Sequence, residues 1–248
     1  PEGEIDGFIN LIFTEGENSR SEVQEYSKNC KEAILFGYFK NTAEIKSLLF
    51  EIQKIAKVKE INVEDKVAVK ELTSIQNHYI KLLNHHVLDN IYSGNGNIEW
   101  YFMGLSVDIP NRARFTQRLS SICDQVYPAA PHFKNEMVNR TKVSSQISFA
   151  RRKFFDRLIN NIDEKNLGFA ENEFPPEKSI YLSLLAKTGI HSVRNGVGKL
   201  STPTDDTYTE LWKAGQDFIN STRLKERKLT ELIEIYSARP FKLKDGFI

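Results

Sequence analysis

Cysteine is almost absent: Cys30 and Cys123 are the only two in 248 residues. They stand far apart with no CxxC neighbour, which excludes a disulfide framework and a thiolate zinc site. Both read as buried structural thiols, and such sparse usage fits a reducing, cytoplasmic compartment. No stretch approaches the roughly eighteen consecutive apolar residues of a membrane helix, so no membrane contact of that kind is expected. The opening "PEGEIDGFIN" is acidic and lacks a basic-then-apolar run, so it does not read as a secretory signal. It also has no initiator Met, which points to a piece of a longer chain. Internal repeats and low-complexity tracts are missing too.

What is present is an ordinary globular composition, 40% hydrophobic and 27% charged. The length suffices for one large domain or two modest ones with a substantial core. Net charge is only +1, but it is uneven: residues 1–65 hold 13 acidic and 8 basic side chains, a net of −5, leaving +6 for the rest. Such asymmetry can mark a nucleic-acid-facing half.

The chain order predicts an α+β fold that is predominantly helical. "GFINLIFTE" (Gly7–Glu15) reads as a strand ending in the turn-like "EGENS", and Ser19 or Ser21 caps a helix through Cys30. "EAILFGYF" (Glu32–Phe39) is a short buried-strand run, and Asn41 or Thr42 caps a helix with Ile45, Leu48, Leu49, Ile52 and Ile55 at helical spacing. This β-α-β-α unit over residues 1–62 implies paired parallel strands. A long helix from Val63 to about Tyr92 follows, with Val67, Val69, Leu72, Ile75, Tyr79, Leu82, Leu83 and Val87 as its stripe, stopped by "YSGNGN". "IEWYF", a Gly104 turn and "LSVDI" suggest a short hairpin, closing a second region at 63–110. Residues 111–248 read as a helical domain, in which a winged-helix arrangement is one option. Pro110 and Asn111 open its first helix, through Tyr127, and further helices are expected near 132–140, 144–162, 175–188, 206–221 and 224–237.

Several motifs invite chemistry and fail on spacing. "NGVGKLST" (Asn195–Thr202) resembles a phosphate loop, but a P-loop needs glycine where Val193 stands and a strand before it; it reads as a flexible loop. His78, His85, His86 and Asp89 lie in the long helix; His78 and His85 share a face, yet the adjacent His86 cannot point the same way as His85, and no further ligands lie near. The predicted strands offer Asp6, Glu15 and Glu32 but no Glu-x-Lys for a magnesium nuclease, and no G-x-S-x-G elbow occurs. No cofactor is expected.

"FKNEMVNRTKVSSQISFARRKFFDRL" (Phe133–Leu158) is stronger. Ser144 or Ser145 makes an N-cap, and Ile147, Ala150, Phe154, Leu158 and Ile162 form a buried stripe with Phe155 beside it. Lys134 to Leu158 holds 7 basic and 2 acidic residues, a net of +5. Lys142, Arg151, Arg152, Lys153 and Arg157 are therefore candidate nucleic-acid contacts, against the alternative of a solvated face with buried Arg stems. Asn135, Glu136, Asn139 and Arg140 offer many directional bonds and could fix a helix junction or bind a ligand.

"CDQVYPAAPHFKNEMVNRTKVSSQISFARRKFFDRLI", "GFAENEFPPEKSIYLSLLAKTGIH" and "SARPFKLKDGFI" resemble successive signatures of large bacterial P-loop ATPases of phage-defence systems, of the BREX ATPase type. The resemblance spans roughly residues 60–248. It rests on Asn135, Glu136, Asn139 and Arg140, the Ser144–Ser145 cap, Pro175, Pro176 and Glu177, and finally Pro240, Phe241, Asp245 and Gly246. It implies a structural role for these residues. It also implies an internal, non-P-loop region of such an ATPase, since no Walker motif occurs here. The expected partners are the rest of the parent chain, DNA and other defence-system subunits. Three functions follow as expectations: coupling a motor to nucleic acid or partner subunits, protein–protein assembly without nucleic acid, or a nuclease with a dispersed site.

Overall fold

The computed structural model describes residues 5–14 and 19–248. Within them the chain is α+β and mostly helical, as the element order predicts. Two compact units partition it: Gly7–Cys123, and Asp124–Ile248 with the residues through Asp6. This division differs from the sequence boundaries at 62 and 110. The long helix and hairpin belong with the α/β region because they pack and pair with its elements.

In the Gly7–Cys123 unit, β1 (Phe8–Ile12) and β2 (Ile34–Phe39) pair in parallel across helix α1 (Ser19–Asn29). The "EGEN" part of the expected turn lies outside the described residues. β3 (Ile98–Phe102) adds antiparallel to β2, and β4 (Leu105–Val107) folds back on β3, giving a sheet of order β1-β2-β3-β4. Met103 (φ 49°) and Gly104 (φ 80°) make the two-residue turn whose twist suits a hairpin. Helix α1 holds that turn: Gln24 Nε2 donates to Gly104 O at 2.8 Å, and Gly104 N donates to the buried Ser27 Oγ at 3.1 Å. Gly37 on β2 faces Trp100 on β3, where a Cβ would come within 2.6 Å of the indole ring. A side chain there would displace the tryptophan from the core.

Helices α2 (Ala43–Ile61) and α3 (Lys66–Ser93) form an antiparallel hairpin. Lys59 Nζ donates to Gln76 Oε1 at 3.1 Å, and His86 Nδ1 lies 3.4 Å from Glu44 Oε2. Asp65 caps α3 by accepting from Val67 N and Ala68 N, both at 3.0 Å. The stripe on α3 is less buried than its periodicity suggests. Leu72, Tyr79, Leu83 and Val87 are half-buried, whereas Val67, Ile75 and Leu82 are exposed. Periodicity identifies a helix; how much of its apolar face is covered depends on what packs there. Helix α4 (Arg112–Val126) follows, with the Asn111 side chain accepting from Arg114 N at 3.0 Å.

The second unit contains α5 (Ser145–Asn160), a 3₁₀ turn at Lys165–Gly168, and α6 (Pro176–Tyr181) continued by a π-helical turn at Leu182–Ala186. Strands β5 (His191–Arg194) and β6 (Val197–Leu200) form an antiparallel hairpin, then α7 (Thr209–Ser221) and α8 (Leu229–Ser237) complete it. Its main core gathers Val138, Phe154, Leu167, Phe169, Ile180, Tyr181, Leu185 and Ile190.

Three expectations are corrected. Residues 132–140 form turns, not a helix, because the Asn135 side chain takes the backbone N–H of Met137 into a local turn. "NGVGKLST" is part of a hairpin, not a flexible loop: Asn195 (φ 54°) and Gly196 (φ 80°) form its turn. The last helix begins at Leu229 rather than 224. The hairpin takes, in chain order, the place of a wing after a helix, but it is tied to the segment following α5. Gly198 N donates to Asp163 O at 2.7 Å, and His191 Nε2 reaches Ile162 O at 2.8 Å.

Gly94 closes α3 in the left-handed region (φ 64°), where a Cβ would overlap the Pro110 carbonyl; Gly96 (φ 77°) has open space around it. Gly94→Ala is therefore expected to cost clearly more than the roughly 1 kcal/mol of Gly96→Ala, as measured by urea denaturation of the two variants.

Candidate interaction site around helix α5

The signature residues join the segment before α5 to α6 and to the last residues of the chain. Asn135 is 6% exposed, and its Nδ2 donates to Ser183 Oγ (2.9 Å) and Ser179 O (3.4 Å) on α6 and its continuation, while Oδ1 accepts from Met137 N at 3.1 Å. Arg140 turns back so that its Nε donates to Glu136 O at 2.8 Å, and its own carbonyl accepts from Gly246 N at 2.8 Å. A Cβ on Gly246 would overlap the Val138 carbonyl oxygen, so only glycine permits this approach. Phe133 and Phe247 meet edge to face at 4.6 Å between ring centroids. Asn139 is half-buried and Glu136 is exposed. The polar motif is thus a structural junction between the start of the unit and its last residues.

Of the two serines, Ser144 is the cap: its Oγ accepts from Ile147 N at 3.4 Å, and Ser145 is the first helical residue. Pro175 precedes α6, Pro176 occupies its first turn, and the Pro175 carbonyl accepts from Lys178 N and Ser179 N. Ala150 and Phe154 are buried and Ile147, Leu158 and Ile162 half-buried, as the stripe predicts, but Phe155 is exposed.

The basic residues divide. Arg157 is half-buried, with Nη1 donating to Gly168 O at 3.0 Å and Leu167 O at 3.5 Å and its guanidinium 4.8 Å over the Phe169 ring. It clamps three successive left-handed residues, Asn166, Leu167 and Gly168. Fully burying Leu167 stabilises by about 2 kcal/mol, roughly what its left-handed backbone costs; Arg157 supplies a further favourable contribution. Lys153 lies 3.7 Å from Glu177 Oε1 and 4.8 Å over the Phe149 ring, and Arg151 Nη1 reaches Asp245 O at 3.5 Å. Lys142 is exposed but has an interaction of its own. Arg152 is exposed with no hydrogen bond or ion pair to the described residues. Around it stand three exposed apolar side chains of the same outer face: Phe149 (58%), Phe155 (50%) and Ile159 (75%).

Sequence reasoning missed Lys178. It is 5% exposed, and its Nζ donates to the carbonyls of Ala170 (2.6 Å), Glu173 (2.7 Å) and Glu171 (3.3 Å), using all three ammonium protons. Its spacing to Tyr181 and Leu185 places it on the buried stripe of that helix, which was the available signal. Also missed was His191, buried between Ile162 O and Tyr181 Oη at 3.0 Å. A carbonyl only accepts, so Nε2 carries the proton. With a neutral ring, Nδ1 then accepts from the Tyr181 hydroxyl. Among the described residues no group of three or more His, Cys, Asp or Glu is placed to hold a metal.

Arg157→Ala is expected to lower stability by about 2 kcal/mol, while Arg152→Ala changes it by less than about 0.5 kcal/mol, read from chemical denaturation. Burial, then the charge of Asp205, pushes the Tyr208 hydroxyl up to about 12. The folded state thus holds this proton where an unfolded tyrosine, near pH 10, releases it. Tyr208 therefore stabilises fully below about pH 10 and loses that contribution as pH rises toward 12. Tyr208→Phe should flatten the alkaline fall of Tm in that window, measured by thermal denaturation.

Against known proteins, the chain matches no family model, no curated protein and no solved structure.

Proposed function

We propose that this chain is a non-catalytic assembly module, an internal region of a larger protein of the ATPase type it resembles, and that the outer face of α5 meets a protein segment of that parent. The observation that carries this reading is the exposure of Phe149, Phe155 and Ile159 beside the unpaired Arg152. Large apolar side chains around an available guanidinium are the composition of a protein-interface centre. Phosphate binding instead needs several free cations on one surface, and here Arg157, Lys153 and Arg151 are engaged within the chain. The α2–α3 hairpin of the other unit also exposes apolar residues, such as Phe50, Ile61 and Val67, but its two helices carry no arginine. Nucleic-acid coupling is the second reading, favoured by the net +5 of Lys134–Leu158.

The test pairs this chain with the separately expressed remainder of its parent. The triple variant Phe149→Ser, Phe155→Ser, Ile159→Ser should abolish their co-purification while leaving Tm within a few degrees, since all three side chains are exposed. Fluorescence anisotropy with duplex DNA at roughly 50 and 200 mM salt separates the readings. Tight binding at low salt that Arg152→Glu weakens, together with unchanged co-purification by the triple variant, would decide for nucleic acid.

A further inference from the structure

We infer that the outer edge of β1 pairs with the same strand of a second copy of this chain, joining two four-stranded sheets into one. β1 stands at the end of the sheet order, with β2 on one side and no strand on the other among the described residues. The backbone tells the two sides apart. Phe8 N donates to Ala33 O at 2.8 Å, so the parallel register from Phe8↔Ile34 to Ile12↔Tyr38 turns both polar groups of Phe8, Asn10 and Ile12 toward β2. Those of Ile9 and Leu11 point outward, and no backbone group of the described residues meets them there.

Folded chains ordinarily guard such an edge by shortness, a lysine, a proline or a bulge. The opposite edge follows that rule: β4 has three residues, and Asp108 and Pro110 come just after it. β1 has five, "FINLI", and neither charge nor proline occurs from Gly7 to Thr14. Among the described residues no element other than β2 makes extensive contact with it. Phe8, Ile9 (42%) and Phe13 (40%) are exposed.

A row of outward amides selects an extended backbone as occupant, and β1 itself carries the side chains that fit. Leu11 reaches over Gly37, and Phe13 meets Phe39 at 4.6 Å between centroids, so Ile9, Leu11 and Phe13 share one face. Antiparallel pairing about a two-fold axis at Leu11 sets each copy's exposed Ile9 opposite the other's exposed Phe13. Opposed outward residues exchange both backbone bonds, and a β-branched residue beside an aromatic is a favourable cross-strand pair. Apolar side chains that each copy leaves in water thus cover one another, and no like charges are opposed along the paired segment. This inference is independent of the assembly reading, which concerns α5.

Sedimentation of the full chain at roughly 5 and 200 μM should show a reversible dimer with a micromolar dissociation constant, as a small interface gives. Amide exchange followed residue by residue in ¹⁵N–¹H spectra locates the contact. The Ile9 and Leu11 amides should slow several-fold at the higher concentration, while those of Asn10 and Ile12 stay equally protected at both. Ile9→Pro removes an outward N–H and no β1–β2 bond, a position where an edge strand tolerates proline, and should abolish the dimer. Ile9→Lys keeps the backbone intact and should weaken it about tenfold or more. A chain that stays monomeric at the higher concentration overturns the proposal and leaves the edge to an extended segment of another protein. A dimer whose Ile9 and Leu11 amides exchange at the same rate at both concentrations, or one that survives both substitutions, also overturns it.

Discussion

The carboxamide of Asn135 ties together segments that lie far apart in the chain. It is buried, so each of its polar atoms needs a partner, and the fold supplies them from Met137, Ser179 and Ser183. Removing the amide would leave the Ser183 hydroxyl and the Met137 N–H to find others, at a cost of about 1–3 kcal/mol for each that fails. The consequences spread further than that figure. The turn started at Asn135 sets Val138 into the core and aims the Arg140 carbonyl at Gly246. The C-terminal segment therefore sits where it does because of a side chain more than a hundred residues earlier.

The same economy explains the cationic helix. Seven basic residues in one stretch look like a single surface, but a folded chain uses positive charge wherever carbonyls or carboxylates have been gathered. Arg157 serves a left-handed turn, Lys153 serves Glu177, and Lys178, which no charge count singles out, is fully occupied by three carbonyls. What remains on the outside of α5 is defined as much by hydrophobic side chains as by charge.

Legibility in the sequence followed the range of the interaction. The Gly104 turn, the N-cap at the start of α5 and the buried stripe of α5 all follow from neighbours a few residues apart, and the parallel β1–β2 pair follows from the order strand, helix, strand; each is present. Asn195–Gly196 carried an equally local hairpin signal, obscured because Gly198 and Lys199 beside it suggest phosphate chemistry. Gly198 proves to be a packing residue, buried where any side chain would meet Ile162 O and the His191 ring. The partners of Arg157 and Lys153 and the fate of the Asn135 turn were not legible. Each depends on segments that only the tertiary fold brings together.

The placement of the two tryptophans has a practical consequence. Trp100 lies on β3 within Gly7–Cys123, and Trp212 lies on α7 within the other unit, so each compact unit carries one tryptophan. Trp100 is packed in the sheet against Phe115, whereas Trp212 borders an open cleft. With the other tryptophan replaced by phenylalanine, the emission of either residue therefore reports the melting of its own half, and comparing the two variants shows whether the halves unfold as one cooperative body without any added label.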